Sequence, residues 1–349
     1  MPTYNRVKHY NLGIPYWDID IIIPSYNDEN YSYKYKINTE IIMPGEIIAN
    51  NEYRLPGFIT TNNLINVDWG DGSFDYNVAD IKMLHTYSSP GIYTIKLYPN
   101  YGQRIKQIRH NQGYFFGIKV IELIDWGNNV ADWSDMIVHF LSCQNLTGFT
   151  TSAPDLSNVN NVSGMFLGAT SFNNDVSSWD MSNITNTSAM FYDTSFNQDI
   201  SSWNFTKIDD MSGMFMNSPF NQDISSWNVG TARYVFDMFR NTPFNQDISS
   251  WDTSNVIRMD GMFRDSAFNQ DLGNWNISSL TNAPNMFDNC PLSTTNYDNL
   301  LIGWAAQAPN IQSNVLFGAA GINRTSASLS AYNTLTTTYN WTITDAGLI

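Results

Sequence analysis

The chain has 349 residues, 42% hydrophobic and 14% aromatic, so it can bury packed cores and is unlike a disordered chain. Its net charge of −15 is uneven, because residues 151–349 hold 17 Asp, no Glu and only six Lys or Arg. So acidic a region repels phosphate backbones and argues against a nucleic-acid partner.

Residues 1–30, rich in Tyr, Asn, Ile and Pro without a helical period, read as an extended N-terminal arm or as edge strands. The start lacks the apolar run of a secretory signal, and Ile21-Ile22-Ile23 is too short to replace it. No stretch approaches a membrane span, so no membrane insertion is expected. From Tyr31 to Asn100 strands and turns alternate. Tyr33–Ile37 and Gly91–Leu97 show period-two patterning, and Leu64–Trp69 is strand-like. Between them, Trp69-Gly70-Asp71-Gly72 suits a tight turn with left-handed residues, followed by His85-Thr86-Tyr87.

These three motifs, Trp69–Gly72, His85–Tyr87 and Gly91–Leu97, resemble the signature of the PKD-type immunoglobulin-like domain over about 70 residues. The resemblance implies a β-sandwich that spaces or binds and carries no catalysis, with His85 structural. Residues 105–150 then lead into the second half. There Ile118–Ile124 reads as a strand and Met136–Leu141 as a short helix with Met136 and Phe140 on one face and His139 beside them.

Five tryptophans, Trp179, Trp203, Trp227, Trp251 and Trp275, follow at a constant step of 24 residues. Phe-Asn-Gln-Asp-Ile-Ser-Ser-Trp recurs from Phe196, Phe220 and Phe244, with looser copies from Phe172 and Phe268, and a Met-Phe pair recurs from Met190-Phe191 to Met286-Phe287. A fixed period of this size means stacked units that bury their apolar sides on one another. Mostly apolar residues at three-residue steps, such as Ile208, Met211 and Met214, predict one α- or 3₁₀-helical turn per coil. With strands about 4.8 Å apart, about six coils make a rod on the order of 30 Å long.

The unit from Trp251-Asp252-Thr253-Ser254-Asn255-Val256 through Met259 and Met262-Phe263 resembles the BspA-type leucine-rich repeat of bacterial, phage and protist surface proteins. Tyr297–Trp304 and Tyr339–Asp345 resemble the C-terminal end common to those proteins. Together the readings give a mainly β protein: a PKD/Ig-like β-sandwich, a leucine-rich-repeat-type solenoid of 24-residue coils with short strands and helical turns, and a small α/β C-terminal cap. The boundaries are 1–30 for the arm, 31–104 for the sandwich, 105–290 for the solenoid with its N-terminal cap, and 291–349 for the C-terminal cap.

Asp175, Asp199, Asp223, Asp247 and Asp271 should form a column. Local bonding to backbone N–H groups is the plain reading, and a Ca²⁺ ladder the sharper one, since oxygen-rich side chains surround them. Asn173, Asn197, Asn221, Asn245 and Asn269 should form a hydrogen-bonding ladder. Cys143 and Cys290 lack metal-ligand spacing and read as buried thiols. No nucleophile elbow, zinc motif or phosphate loop appears, so no enzyme activity and no cofactor is expected. Specificity should lie where the repeats differ. Aromatic and Arg side chains anchor interfaces, which nominates Tyr192, Tyr234, Arg240 and Arg264.

The resemblance implies a non-enzymatic recognition, adhesion or structural role. A surface-type repeat without a signal peptide favours a phage virion component (tail, fibre or decoration) on the virion surface, with a bacterial cell-surface adhesin as the alternative. Partners would be other virion proteins or a host-surface protein or glycan, and a homo-oligomer stays open.

Overall fold

The structure is a computed structural model that describes residues 32–41, 51–55, 57–60, 64–79, 83–99, 104–110, 119–127, 133, 136–137, 139–150 and 153–349. The arm proposed for residues 1–30 lies outside them. The protein is mainly β with few helices.

In the first part, the alternation of Tyr33, Tyr35 and Ile37 inward with Lys34, Lys36 and Asn38 outward makes β1 (Tyr33–Asn38) a half-buried strand. It runs antiparallel to β7 (Ile92–Pro99), which pairs β4 (Ile65–Asp68), which pairs β5 (Phe74–Val78). Two further antiparallel pairs accompany this sheet: β2 (Glu52–Arg54) with β6 (Leu84–Thr86), and β3 (Gly57–Thr60) with β8 (Ile105–Arg109). The fifth strand of the main sheet is β9 (Val120–Asp125), antiparallel to β1. Strands β8 and β9 lie beyond the boundary drawn at residue 105, yet they complete the N-terminal sheets. Patterning shows that a segment is a strand, whereas its partner is a long-range choice.

The far edge of β9 carries the first coil. Leu123 N–H donates to Gly148 O at 3.1 Å, and Thr150 N–H donates to Leu123 O at 3.0 Å, in parallel register with Phe149. Residues 137 and 139–142 lie in turns, not in the expected helix. Met136, His139 and Phe140 are all buried there, so the apolar spacing was real but is met by consecutive turns.

From residue 153 the coils stack in parallel. A column of bridges links Asn161, Asn186, Asp210, Tyr234, Arg258 and Asn282. Next to it, the expected helical turn is replaced by a ribbon of turns. Met190 and Tyr192 donate to Thr187 and Ala189, three residues back, at 3.1 and 3.2 Å. The alternate N–H groups of Thr187, Ala189, Phe191 and Asp193 donate instead to the carbonyls of Asp210, Ser212, Met214 and Met216 in the next coil, at 2.8–2.9 Å. With Ser188 N–H on Asn186 Oδ1 at 2.8 Å, the ribbon N–H groups from Thr187 to Asp193 are all satisfied, the alternate ones by the neighbouring coil, a pattern an isolated helix does not make. The alternation needs left-handed backbone at two places per coil. Glycine holds the first of them at 164, 213 and 261, but Ala189, Asp237 and Asn285 adopt it too.

The interior is built of columns. Phe172, Phe196, Phe220, Phe244 and Phe268 stack with centroids 6.1–6.3 Å apart, and the Phe of each Met-Phe pair stacks beside them. The repeat tryptophans are at most 5% exposed, and the indole N–H of Trp203, Trp227, Trp251 and Trp275 donates to a carbonyl of the preceding coil at 2.9–3.1 Å. The Asn column is a ladder, each Asn N–H donating to the Asn Oδ1 one coil earlier at 2.8–3.0 Å.

The stack closes on α1 (Thr294–Ala305), whose N-cap Ser293 accepts from Asn296 N–H and which buries Tyr297, Leu300, Leu301 and Trp304. This helix continues both ladders: Asn296 Nδ2 reaches Asn269 O at 2.9 Å, and the Trp304 indole reaches Leu272 O at 3.1 Å. Strand β10 (Asn282–Ala283) then pairs in parallel with β11 (Leu316–Arg324) and that with β12 (Thr342–Leu348), with short α2 (Leu329–Asn333) between them. Helix α1 approaches the last repeat backbone to backbone. A Cβ on Gly303 would lie 2.1 Å from Gly273 O, and one on Gly273 would lie 2.7 Å from Asn299 O. We expect Gly303→Ala to cost about 1–3 kcal/mol through overpacking, read as a lower urea midpoint. An unchanged midpoint would show that the helix has room to withdraw.

Candidate recognition surface

Along each coil the burial pattern separates two kinds of position. Met-Phe and the three-residue apolar series point inward, while the bridge residue and the residues two, three and six places after it face out or lie half-buried, except Ser212, Gly164 and Gly261, which are buried. The outward positions differ from coil to coil. At the bridge stand Asn186, Asp210, Tyr234, Arg258 and Asn282, and six places later Tyr192, Met216, Arg240, Arg264 and Asp288.

The nominated residues therefore lie on one ribbon. Tyr192, Arg240 and Arg264 share a column, since the carbonyls of residues 192, 216, 240 and 264 accept in turn from residues 168, 193, 217 and 241. Tyr234 stands in the bridge column of the same face. Arg233, Phe236, Asp237, Arg258 and Asp260 complete the patch and were missed from sequence. Their signal was departure from the repeat: Phe236 and Asp260 stand where other coils have Ser163, Ser188 and Ser212, and Asp237 stands in the glycine column.

Each Arg of the patch lies beside a carboxylate. Arg258 is hydrogen-bonded to Asp260, which also accepts from Asn282 Nδ2 at 3.1 Å. Arg240 lies 3.6 Å from Asp237, and Arg264 lies 3.4 Å from Asp265. Burial pushes the Asp237 carboxyl up, Arg240 and Arg264 pull against it, and Asp260 adds to the rise. Asp237 fits because the next coil has Gly261, whose Cβ would lie 2.5 Å from Asp237 Oδ1. Arg258 also covers the Phe236 ring at 5.2 Å. Each Arg thus has its own Asp, at pairs whose Arg side chains are 32–53% exposed and worth little as stability. Chemically, the patch offers half-exposed rings with donors and acceptors in register at the coil spacing.

The Asp column faces its own coil. Asp175, Asp199, Asp223 and Asp247 accept from the N–H of Ser177, Ser201, Ser225 and Ser249, and Asp271 from that of Gly273, at 2.8–2.9 Å. Hydrogen bonds from those serines hold Asp175, Asp199 and Asp247 below the usual carboxylate range. Among the described residues, no three His, Cys, Asp or Glu side chains are placed to share a metal ion. Both cysteines are buried free thiols; Cys290 occupies the place of Thr194, Ser218, Thr242 and Ser266 and donates to Phe268 O at 2.9 Å.

In the N-terminal part, Ser73, His85 and Asp71 come together, but Asp71 Oδ2 at 2.8 Å and Ser73 Oγ at 3.5 Å approach the same nitrogen, Nε2. A nucleophilic relay needs the carboxylate on one ring nitrogen and the hydroxyl on the other. Here His85 stacks on Trp69 at 4.4 Å and braces the turn. Burial raises the Asp71 carboxyl, but hydrogen bonds from Ser73 and His85 outweigh it and hold the group at about 2.

No helix among the described residues is long and apolar enough to cross a membrane. No curated protein and no solved structure matches the chain. The family model described as Mycoplasma protein of unknown function, DUF285, matches residues 134–243 and again 237–329, the region of stacked coils. As these matches cover more than half of the chain, the protein belongs to that family.

Proposed function

We propose that the chain is a non-enzymatic recognition protein displayed at a surface, a BspA-type leucine-rich-repeat solenoid carried behind a PKD-like spacer. The observation that carries this reading is the division of labour between positions. The inward and ladder columns repeat almost unchanged, whereas the outward positions of one ribbon vary and gather four Arg with Tyr234 and Phe236. Packing alone does not demand such variation, and Arg and aromatic residues are the usual anchors of an interface. The partner is a host-surface protein or glycan, bound without metal or cofactor.

The display setting is a virion or a bacterial cell. The family's description, a Mycoplasma protein, supports a bacterial cell, and the resemblance of the repeat to those of phage surface proteins supports a virion. Mass spectrometry of purified virions and of protease-shaved cells separates the two.

The test of recognition is attachment of the purified chain to a panel of bacterial and host cells. Arg240→Glu combined with Arg264→Glu should lower attachment at least tenfold while leaving the fold intact. Wild-type protein that attaches to none of the cells, or a folded variant that attaches as well as wild type, would overturn the proposal.

A further inference from the structure

The junction between the N-terminal sheets and the first coil holds a buried polar cluster that recognition does not use. Tyr33 on β1 places its hydroxyl 2.8 Å from His110 Nε2 and 3.1 Å from His139 Nε2, and all three side chains are at most 1% exposed. His110 follows β8, and its N–H donates to His139 O at 2.9 Å. His139 precedes Phe140, whose N–H donates to Met165 O in the stack at 2.8 Å. The cluster therefore touches the sheet, the strand end and the first coil at once.

One hydroxyl carries one proton, so Tyr33 can donate to only one imidazole and must accept from the other. Two neutral rings satisfy this only as opposite tautomers, one with its proton on Nε2 and one on Nδ1. A further proton would place two Nε2–H groups on one oxygen and leave the tyrosine proton without its acceptor. It would also put a charge among aromatic rings, which is costly without a counter-charge. The groups facing His110 are Tyr33 and Tyr35 from β1, with His139 and Phe140 from the first coil. Trp126 and Trp133 pack on His139, and Tyr53 and Cys143 lie in the same core. Among the described residues that face His110, none is a carboxylate.

We infer that Tyr33, His110 and His139 form a proton-operated latch, which on acidification releases the N-terminal sheets from the coil stack while the stack stays folded. The sign follows from linkage. Burial pushes His110 down to about 3 from its ordinary 6.5, so the unfolded segment binds the proton first and stability is lost as pH falls from 6.5 towards 3. Asp175, Asp199, Asp247 and Asp252 on the coils behave differently. Their carboxyls are lowered from 3.8 by serine hydrogen bonds, so their contribution persists until the pH falls below that value. Between these limits the latch is stressed and those four carboxylates are not.

The test is hydrogen exchange of the full chain between pH 7 and pH 4.5, corrected for the intrinsic pH dependence of exchange. Protection of β1, β8 and β9 should fall at least tenfold, and that of residues 187–289 should be unchanged. His110→Gln, which removes the titrating ring, should abolish the acid step. Should that variant fail to fold at pH 7, ¹⁵N spectra of the wild-type imidazoles decide instead. His110 should then take up its proton in the same interval in which the sheets lose protection. Loss of protection in sheets and coils together, an unaltered step in a folded His110→Gln, or protonation of His110 near pH 6.5 with the sheets still protected would each overturn the latch.

Discussion

Replacing Trp227 by alanine is expected to destabilise the protein by about 3–5 kcal/mol, the range of large aromatic truncations in a core. The side chain is 3% exposed, and its ring lies 6.1 Å from Trp203, 5.0 Å from Phe205 and 6.3 Å from Phe215. Its indole N–H also donates to Ile200 O at 3.0 Å, so the substitution removes a bond between coils as well as apolar surface. Because coils stabilise one another through their shared interfaces, a defect in the middle should weaken both halves of the stack. Urea unfolding followed by tryptophan fluorescence and by circular dichroism reads the effect. An unchanged midpoint would mean that the site collapses around the void without loss, and would refute the role given to this column.

The second large effect is expected at the C-terminal cap. Arg324 Nη1 meets both oxygens of Asp345 at 2.7 and 2.6 Å, and the guanidinium lies 3.6 Å above the Tyr332 ring. Asp345 also accepts from the Tyr297 hydroxyl at 3.1 Å and from Gly347 N–H at 2.9 Å. The two side chains are only 10% and 5% exposed, so Arg324→Ala strands a buried carboxylate and should cost about 3–5 kcal/mol. The double change Arg324→Met with Asp345→Leu should cost less, because no charge is left unpaired. Denaturant midpoints of the three proteins check both statements. A loss for Arg324→Ala as small as the roughly 0–1 kcal/mol of an exposed pair would show that water reaches this site.

Much of the architecture was legible because a strict 24-residue step leaves little freedom. Residues one repeat apart must stack, so the Trp, Phe, Asn and Asp columns follow from spacing alone, as do the inward apolar series and the outward variable positions. The candidate surface was half legible. Tyr192, Tyr234, Arg240 and Arg264 were visible as exceptions to the repeat, but the carboxylates beside the Arg residues were not. Asp237 and Asp260 each pair with an Arg two or three residues away, and the next coil adds Arg264 beside Asp237 and Asn282 on Asp260. The three-residue step misled in one respect. It is shared by a helical turn and by a run of β-turns, and the choice fell to the carbonyls of the next coil, which accept half of the ribbon's N–H groups.

What the amino-acid order determined by itself is the repeating part, where each coil meets copies of itself and local pattern and neighbour carry the same information. The tertiary structure decided the two ends, where the stack meets something unlike itself. At one end β9 is shared between the antiparallel sheet and the first coil, a pairing no local pattern encodes. At the other, Asn296 and Trp304 extend the ladders from a helix, on a spacing that departs from 24. Gly273 stands there in place of the repeat's serine because the backbone of Asn299 leaves no room for a side chain. A periodic sequence specifies its own continuation, but termination is a contact between different surfaces, and only the folded chain shows which atoms approach.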